Sequence, residues 1–299
     1  MAESRIGIDG ISLSHPTKVL FPEDRITKLD LAKYYQAVAP WILKELKNRP
    51  VSLVRCPAGR GKKCFFQKHP DPAMAAELKN LSIKEKAKDK SGEASYLSIS
   101  NAKDLLYLVQ MNVLEIHCWG CRAPKIERPD RMIFDLDPDS AVKIRTVIDS
   151  AKEMREFLKS VGLESFVKTS GGKGLHVVVP LKGGSNWDDV HSVSHALATT
   201  FAQRNSKLYI ATSSLKLRKG KIFIDYLRNT RGATSIANYS TRARESASIS
   251  VPLDWKELDT LKSFSGYNIK NIFQRLDAKK FKDPWADIDE KRQSLPKLS

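Results

Sequence analysis

Three aspartates set within apolar segments constrain the fold of this chain more than any other feature. Asp135 and Asp137 lie in the segment Arg-Met-Ile-Phe-Asp-Leu-Asp-Pro, and Asp225 lies in Lys-Ile-Phe-Ile-Asp-Tyr-Leu-Arg-Asn. The first segment is short, apolar and ended by Pro138, a pattern that predicts a buried strand. Because side chains alternate across a strand, Asp135 and Asp137 are expected on the same face.

The spacing of these carboxylates predicts a metal site, because two acids this close repel each other and are costly to bury without a cation. A third acid on another strand indicates that the strands are neighbours, so that the carboxylates converge. This arrangement predicts a site for two Mg²⁺ or Mn²⁺ ions that serves phosphoryl or nucleotidyl transfer. The alternative is a solvated turn, because a short Asp-x-Asp motif at a strand end is unspecific.

The chain is strongly basic, with a formal net charge of +17 and an isoelectric point near 9.6. Residues 201–250 contain ten Lys or Arg residues against two acids, which gives this segment a net charge of +8. A charge of this size indicates a polyanionic partner, most often nucleic acid and sometimes a membrane surface. A solvated basic face is the alternative, but the segment also carries Asp225 and interleaved aromatic and glycine residues.

Length and hydropathy indicate a protein with a substantial core. The 299 residues suffice for one large domain or two small ones, and 41% of them are hydrophobic. The sequence lacks the apolar run of about 18 residues that predicts a transmembrane helix. Its first ten residues lack the apolar stretch of a secretory signal. We therefore expect a soluble intracellular protein.

The four cysteines, Cys56, Cys64, Cys118 and Cys121, are expected to be reduced in an intracellular protein. Cys118-x-x-Cys121, preceded by His117, is compatible with a zinc site. A second close pair of ligands is missing from the sequence, so free thiols are the favoured interpretation.

Hydrophobic periodicity predicts a domain of mixed helices and strands, of class α/β or α+β. Thr27 is the expected N-cap of the first helix, and Gly162 is the residue that closes the third. Helices are predicted over residues 28–47, 102–114, 141–161 and 187–203. Strands are predicted over residues 51–55, 166–168, 177–180 and 221–227. An exposed turn or helix end is expected over residues 84–92, and a mobile loop over residues 205–220.

A glycine-rich segment, Ser170-Gly-Gly-Lys173-Gly-Leu-His176, is a second functional candidate. Glycines let a backbone approach a phosphate closely, and successive amide groups can form an anion-binding nest. Lys173 and His176 supply further donors. A turn without a ligand is the alternative, because the spacing of a Walker A motif is absent. Beside a metal site, the segment is expected to bind a triphosphate.

Two adjacent aromatic residues, Phe65 and Phe66, are candidates for contact with a base. Adjacent residues on a strand face opposite sides of the sheet. One phenylalanine is therefore expected to pack inward, and the other to offer a platform on which a base stacks.

Taken together, these segments resemble the three active-site motifs of the polymerase module of bacterial DNA ligase D, a member of the archaeo-eukaryotic primase superfamily. The motifs are Phe-Asp-Leu-Asp-Pro, Ser-Gly-Gly-Lys-Gly-Leu-His and Phe-Ile-Asp-Tyr-Leu-Arg-Asn. Further family-like segments are Ser14-His-Pro-Thr-Lys-Val-Leu-Phe-Pro, Leu53-Val-Arg-Cys-Pro, Phe65-Phe-Gln-Lys-His, Glu115-Ile-His, Glu127-Arg-Pro-Asp-Arg, Arg231-Gly-Ala-Thr and Asp283-Pro-Trp-Ala-Asp. The resemblance covers residues 11–288. It implies an α+β fold in one globular domain over residues 1–299, with a tail at 289–299. Its primase-like core would contain mixed and antiparallel β-sheets flanked by helices.

The resemblance implies a nucleotidyltransferase of non-homologous end joining, which adds nucleotides, preferably ribonucleotides, to 3′ ends at 5′-phosphorylated breaks. Asp135, Asp137 and Asp225 would hold two Mn²⁺ or Mg²⁺ ions, with Asp225 nearest the primer 3′-hydroxyl. Phe65 or Phe66 would stack on the templating base. The implied triphosphate contacts are Ser170, Lys173, His176, His117, Arg228 and Arg242. The implied DNA contacts are Lys18 and Lys28, in a 5′-phosphate pocket, and Arg218, which would place the primer end.

The chain departs from the complete ligase, because it has no Lys-x-Asp-Gly motif of a ligase module. We expect either an excised module or a stand-alone polymerase that recruits a separate ligase. The expected partners are gapped, nicked or overhanging DNA ends, NTP or dNTP, a Ku-type end-binding protein and a DNA ligase, but no membrane. The expected location is the cytoplasm, at the nucleoid. Two alternatives stay open: a stand-alone primase that starts chains de novo, and a catalytically silent factor that bridges DNA ends.

Overall fold

The computed structural model of the chain describes residues 4–87 and 90–296. Its strands are β1 (Arg5–Ile8), β2 (Ile11–Ser14), β3 (Val19–Phe21), β4 (Ile26–Thr27), β5 (Val51–Arg55), β6 (Phe65–Gln67), β7 (Lys79–Ala87), β8 (Lys90–Ser98), β9 (Val113–Trp119), β10 (Arg131–Pro138), β11 (Phe166–Thr169), β12 (Leu175–Pro180), β13 (Tyr209–Ile210), β14 (Ile222–Asp225), β15 (Thr234–Ile236) and β16 (Pro252–Leu253). Its α-helices are α1 (Lys28–Leu46), α2 (Pro72–Glu77), α3 (Ala102–Gln110), α4 (Ile144–Ser160), α5 (Trp187–Arg204) and α6 (Ile272–Leu276). Short 3₁₀ helices are formed by Leu215–Leu217, Leu227–Asn229, Glu245–Ala247 and Trp255–Asp259.

The chain forms two compact units, each with a large β-sheet. The first unit contains the residues up to Trp119 together with Ile236–Ile249 and Asn268–Phe273. The second unit contains Gly120–Ser235, Ser250–Tyr267 and the residues from Gln274 onwards. The single domain over residues 1–299 stays a prediction.

The sheet of the second unit has the strand order β13-β14-β10-β12-β11-β16. Its strand pairs are antiparallel except for β13 with β14, which are parallel. β10 therefore lies between β14 and β12, and the strands that carry the three sequence motifs are adjacent. The prediction that these strands are neighbours is confirmed.

One face of this sheet is apolar and is covered by two helices. Phe134 and Leu136 of β10 and Val177 of β12 are fully buried there. The helix α4 packs against β10 and β12, and α5 packs against β10 and β14. Burying an apolar side chain of this size stabilises the fold by about 1.5–3 kcal/mol. The two helices thus hold the sheet from one side and leave the opposite face to other contacts.

The opposite face is divided between an apolar part and a polar part. Trp285 and Ile288, from the C-terminal segment, pack against Ile133 of β10 and Val178 of β12. Asp135 follows two residues after Ile133 on the same face, since side chains alternate along β10. The polar part of this face therefore begins where the C-terminal cover ends.

In the first unit, β9, β5, β8 and β7 form an antiparallel sheet, and β6 pairs with β5. The helix α1 begins where the sequence predicts. The Thr27 hydroxyl accepts a hydrogen bond from the backbone N–H of Asp30, and the Asp30 carboxylate accepts one from the backbone N–H of Thr27. This capping box satisfies two donors at the helix start. The helix α1 packs against α3.

The predicted α+β class, with mixed and antiparallel sheets flanked by helices, is confirmed. The helices predicted over 28–47, 141–161 and 187–203 correspond to α1, α4 and α5. Gly162 follows α4 with φ of +79°, the left-handed conformation expected after a helix end. No helix among the described residues is long and apolar enough to cross a membrane.

Three local predictions are wrong. The helix predicted over 102–114 ends at Gln110, because Asn112 turns the chain with a left-handed φ of +57° and β9 begins at Val113. In the segment 84–92, the described residues belong to the paired strands β7 and β8, and residues 88 and 89 lie outside the described residues. The predicted loop over 205–220 contains the short strand β13 and a 3₁₀ turn. In each case, tertiary pairing overrides the local pattern.

Cys56 and Cys64 form a disulfide, with their Cα atoms 4.3 Å apart. The expectation that all four cysteines are free thiols is therefore wrong for this pair. β5 and β6 pair as an antiparallel hairpin, and its register, continued by one residue, places Cys56 opposite Cys64. The sequence spacing alone does not reveal this hairpin.

The glycine-rich turn approaches β10 so closely that Gly174 tolerates no side chain. A Cβ atom at this position would overlap the backbone carbonyl oxygen of Leu136. Gly174→Ala should therefore displace β12 from β10 at a cost of about 1–3 kcal/mol, which lowers the Tm measured by circular dichroism. Gly184→Ala is the matched control, because a Cβ there meets nothing within 4 Å. Equal Tm values for the two variants would contradict this close approach.

Candidate active site

A row of ionisable side chains crosses the sheet of the second unit on the face opposite α4 and α5. Asp135 of β10 is paired with Asp225 of β14 on one side and with His176 of β12 on the other. His176 is in turn paired with Lys168 of β11. Cross-strand partners share a face, and Asp137 joins this face two residues along β10. The three carboxylates predicted from the sequence thus lie together.

The Arg228 guanidinium, the His176 imidazole and one backbone amide contact the two inner carboxylates. Arg228 Nη2 lies 3.5 Å from the Asp225 carboxylate and 3.9 Å from that of Asp135. His176 Nε2 lies 3.5 Å from the Asp135 carboxylate. The backbone N–H of Leu227 donates a 2.8 Å hydrogen bond to Asp225. Because both carboxylates are largely buried, these contacts offset a repulsion that water screens poorly.

The third carboxylate, Asp137, is more exposed and pairs with the basic segment before β14. Arg218 Nη1 lies 3.5 Å from the Asp137 carboxylate. The Arg218 guanidinium also lies over the ring of Phe223, 3.6 Å from its centroid. Phe223 is the cross-strand partner of Asp137. Arg218 is therefore held by a carboxylate and an aromatic ring that are adjacent on the same face.

The glycine-rich segment forms a tight turn between β11 and β12. Gly171 has φ of +66°, a conformation that favours glycine. The Ser170 hydroxyl accepts hydrogen bonds from the backbone N–H groups of Gly172 (3.2 Å) and Gly174 (3.3 Å), and it donates to the Gly174 carbonyl (3.0 Å). Ser170 thus shapes the turn from within, whereas the side chain of Lys173 is exposed to solvent.

The donor atoms of the carboxylate face fit a divalent metal. Asp135, Asp137 and Asp225 supply the carboxylate oxygens that Mg²⁺ and Mn²⁺ prefer. Arg218 and Arg228 already place positive charge against all three carboxylates. Within residues 4–87 and 90–296, no three His, Cys, Asp or Glu side chains are grouped closely enough to hold a metal ion. The face thus has suitable donors on adjacent strands, and metal binding stays a proposal.

A second ionisable cluster lies in the first unit around Glu115. Glu115 and His117 are two residues apart on β9 and share a face. The Glu115 carboxylate lies 2.7 Å from His117 Nε2 and 3.2 Å from Arg242 Nε, and it accepts a 2.8 Å hydrogen bond from the Ala243 N–H. Burial raises the pKa of Glu115, but these hydrogen bonds and the charge of Arg242 outweigh burial. They lower its pKa from 4.5 to about 2.

Phe65 and Phe66 both lie on the surface of the first unit, with exposed fractions of 41% and 56%. The expectation that one of them packs inward is wrong, because β6 is a three-residue strand attached beside β5 at the margin of the sheet. The Phe66 ring meets the His117 ring edge-on, with centroids 5.9 Å apart. The Arg55 guanidinium lies over the Phe65 ring at 5.6 Å. Both rings thus offer exposed surface on which a base can stack.

Lys18 and Lys28, predicted to bind a 5′-phosphate, lie on either side of the β3–β4 hairpin. The backbone N–H of Lys28 donates a 2.8 Å hydrogen bond to the Lys18 carbonyl. The Lys28 side chain is buried, and its ammonium donates to the Gln110 side-chain oxygen at 2.9 Å. The Lys18 ammonium contacts the Pro57 carbonyl oxygen. The Gln110 amide also donates to the Ser14 hydroxyl at 2.8 Å, so a polar network holds the Lys28 ammonium.

Two charged residues of these clusters were not assigned a role from the sequence. Lys168 is buried in the row beside His176, and its ammonium lies 6.0 Å from the ring centroid of Trp285. The available signal is a lysine within the apolar segment Phe-Val-Lys-Thr. Glu115 is the centre of the first-unit cluster, and its signal is the alternation Glu-x-His within the apolar strand β9.

Comparison with known proteins shows the family to which the chain belongs. The family model described as LigD, primase-polymerase domain, matches residues 27–285. The chain belongs to the LigD primase-polymerase family. The multifunctional non-homologous end joining protein LigD of Pseudomonas aeruginosa is 40% identical over 292 residues, which cover 98% of this chain and 34% of that protein. The bifunctional non-homologous end joining protein LigD of Bacillus subtilis is 29% identical over 280 residues, which cover 93% of this chain and 44% of that protein.

A solved structure extends the comparison to the fold. The polymerase domain of Mycobacterium tuberculosis ligase D in complex with DNA matches with a TM-score of 0.85 and 28% identity, over 95% of this chain and 99% of that one. The family resemblance and the fold are therefore confirmed. As a member of the LigD primase-polymerase family, the chain is a nucleotidyltransferase. It spans about a third of the Pseudomonas protein's length.

Glu115→Gln should destabilise the first unit in a pH-dependent way. The folded-state pKa of about 2 lies below the ordinary 4.5, so the ionised carboxylate stabilises the fold above pH 4.5, and this contribution is lost as the pH falls towards 2. At pH 7 we expect the variant to lose on the order of 3 kcal/mol of unfolding free energy, and the difference from the parent to shrink below pH 4.5. Denaturant unfolding at several pH values measures this.

The control for this experiment is Glu156→Gln, because Glu156 is an exposed glutamate of α4. Its unfolding free energy should follow that of the parent at every pH. A Glu115→Gln deficit that stays constant from pH 7 to pH 2 would contradict the role of the ionised carboxylate.

Proposed function

We propose that this chain is a primase-polymerase that adds nucleotides to DNA 3′ ends at gaps or breaks with a downstream 5′-phosphate. The observation that carries the proposal is the pairing of Asp225, Asp135 and His176 across adjacent strands, with Asp137 beside them. Family membership supports the reaction class, and the match to a DNA-bound polymerase domain supports the partner. In this proposal, the site accepts NTP and dNTP and prefers ribonucleotides.

Asp135, Asp137 and Asp225 would hold two Mn²⁺ or Mg²⁺ ions, and ions bound there would supply charge to activate a 3′-hydroxyl and to neutralise the triphosphate. Asp225 would lie nearest the primer 3′-hydroxyl. Arg228 contacts Asp225, and Arg218 contacts Asp137. When substrates arrive, the same guanidinium groups can turn to anions, Arg228 to the triphosphate and Arg218 to the primer end.

The triphosphate would also bind the glycine-rich turn. Lys173 is its exposed cation, and the hydroxyl of Ser170 holds the turn's backbone in shape. A turn held in this shape needs little reorganisation when an anion binds beside Lys173. His176 would contribute from the adjoining strand β12. Ser170 would therefore act mainly by holding the shape of the turn, because its hydroxyl is engaged with the backbone of Gly172 and Gly174.

The first-unit cluster contains two of the residues that the family resemblance implies for nucleotide binding. His117 and Arg242 would contact the incoming nucleotide, and Glu115 fixes the orientation of both side chains. The exposed Phe65 or Phe66 would stack on the templating base, an interaction that tolerates every base because each has an apolar face.

Lys18 and Lys28 would bind the 5′-phosphate on the far side of the gap. Phosphate contacts by lysines release counterions, so binding should weaken as salt increases. A 5′-phosphate site that is distinct from the catalytic acids would favour gapped or broken DNA over intact duplex.

We further propose that the chain acts in non-homologous end joining, as a single domain that works with a Ku-type end-binding protein and a DNA ligase. The names of the Pseudomonas and Bacillus relatives support this process. The DNA partner implies a place in the cytoplasm at the nucleoid.

De novo priming and DNA bridging without catalysis are the alternative functions. The Lys18 and Lys28 pair supports end recognition over priming, because a primase that starts on single strands has no 5′-phosphate to bind. The three acids on adjacent strands support catalysis over bridging.

Asp135→Ala/Asp137→Ala should abolish nucleotide addition and leave 5′-phosphate-dependent DNA binding largely unchanged. The loss should reach about a thousandfold or more, because charge stabilisation of the transition state disappears. Extension of a labelled primer across a short gap, with ribo- or deoxynucleotides and with Mn²⁺ or Mg²⁺, measures the activity. Asp277→Ala, at an exposed acid, is the control.

The same assay distinguishes the alternatives. If the double variant still extended the primer, Asp135 and Asp137 would not be catalytic residues. A parent protein that binds DNA ends but extends no primer with either metal would support bridging. Dinucleotide synthesis on an unprimed template would support the primase.

Lys18→Ala should weaken binding to gapped DNA with a 5′-phosphate and leave binding to the same DNA with a 5′-hydroxyl unchanged. The slope of log affinity against log salt should fall by about one, since one phosphate contact is lost. Fluorescence anisotropy with both DNAs measures the difference. Lys33→Ala, at an exposed lysine of the same helix as Lys28, is the control. Equal losses on both DNAs would exclude Lys18 from the 5′-phosphate site.

A further inference from the structure

Two leucines in the basic segment of the second unit are held out in solvent. Leu215 and Leu217 have exposed fractions of 80% and 57%. They belong to a 3₁₀ turn with Lys216 between them. Burial of apolar surface stabilises a protein or a complex by about 25 cal/mol per Å². Two neighbouring leucines that stay exposed therefore indicate a surface that a binding partner covers.

Contacts at the end of this turn hold the leucines in place. Arg218, the next residue, is fixed against Asp137 and over an aromatic ring. The Lys221 ammonium donates a 2.7 Å hydrogen bond to the Ser206 carbonyl, and the Lys221 carbonyl accepts a 2.9 Å bond from the Asp139 N–H. The segment is thus tied to the strand that carries the catalytic acids, and the leucines are presented beside it.

The segment that carries the two leucines is basic in sequence. Residues 205–224 contain five Lys or Arg residues and no Asp or Glu. Lys216, between the leucines, and Lys219, after them, are exposed. A partner that is complementary to this segment must therefore present negative charges and apolar surfaces that alternate within a few ångströms of each other. A single strand of nucleic acid does so, because its phosphates alternate with the faces of unstacked bases.

We propose that Leu215 and Leu217 form an apolar wedge that contacts the unpaired bases of a single-stranded DNA end. Lys216 and Lys219 hold the phosphates on either side, and the leucine side chains pack against base faces. Apolar wedges stabilise unstacked bases, so this segment gives the chain a preference for overhanging DNA over blunt duplex. The inference rests on the proposed function for its class of partner.

An anionic membrane is the alternative partner, because it combines negatively charged headgroups with an apolar interior. Membrane-binding helices bury a long amphipathic face, whereas this turn offers two leucines on three residues. In addition, Arg218, the residue after the turn, contacts Asp137, one of the acids to which a DNA 3′ end would be brought. These two observations favour DNA.

The test is the variant Leu215→Ser/Leu217→Ser, which keeps every charge of the segment. Its DNA ligands are a duplex with 2-aminopurine in a 3′ overhang and the same duplex with a blunt end. Anisotropy gives the affinity, and 2-aminopurine fluorescence reports base unstacking. We expect about tenfold weaker binding to the overhang, a lost fluorescence change, and unchanged binding to the blunt duplex with an unchanged salt slope.

Two further variants control for charge and for general loss of apolar surface. Ile6→Ser removes an apolar side chain that is 42% exposed in the first unit, and it should bind both DNAs as the parent does. Lys216→Gln should lower the salt slope by about one and keep the 2-aminopurine signal. Circular dichroism melting establishes that each variant is folded, and the single variants Leu215→Ser and Leu217→Ser replace the double variant if it melts early.

Any of three outcomes for the double variant would contradict the wedge proposal. The first is unchanged affinity for the overhanging DNA, and the second is an equal loss of affinity for both DNAs. The third is an unchanged 2-aminopurine fluorescence change on binding. Weaker binding to phosphatidylserine vesicles with unchanged DNA binding would assign the leucines to a membrane instead. Because these assays contain no nucleotide, a failure of the wedge and a failure of nucleotide addition remain distinguishable.

Discussion

The repulsion among three carboxylates on one face of a sheet is the constraint on which the second unit's site depends. The register sets Asp135 against Asp225, so two largely buried negative charges meet on adjacent strands. Such a pair persists only with positive charge close by. Arg228, from the turn after β14, and Arg218, from the basic segment, provide that charge. The basic segment is tied to β10 through this compensation, since Arg218 contacts Asp137.

The cluster of the first unit has the opposite composition, because a single carboxylate there is contacted by several donors. Glu115 stays ionised in a buried position, since His117, Arg242 and a backbone N–H together outweigh the cost of burial. In both clusters arginine side chains contact the carboxylates, and the planar guanidinium can meet several acceptors at once. Lys173, by contrast, is exposed to solvent. The charges of both clusters are therefore balanced by contacts within the protein.

Local pattern predicted the elements with strong periodicity or a clear end signal. The helix α1 begins at the Thr27 capping box, and α4 ends before Gly162, because caps act within a few residues. Local pattern failed where a strand follows a helix after a turn of only two residues, as at Asn112 between α3 and β9. It also failed for the Cys56–Cys64 disulfide and for the exposure of Phe66, since both depend on how β6 pairs with β5.

The sequence by itself determined which chemical groups the chain carries and on which kind of element each one sits. Asp135 and Asp137 share a face because alternation along a strand is a local property of the backbone. Only the tertiary structure decided that Asp225 faces Asp135, that Lys168 joins the same row, and that Glu115 is the partner of Arg242. Strand order, register and long-range ion pairs depend on packing between distant segments, and no window of neighbouring residues encodes that packing.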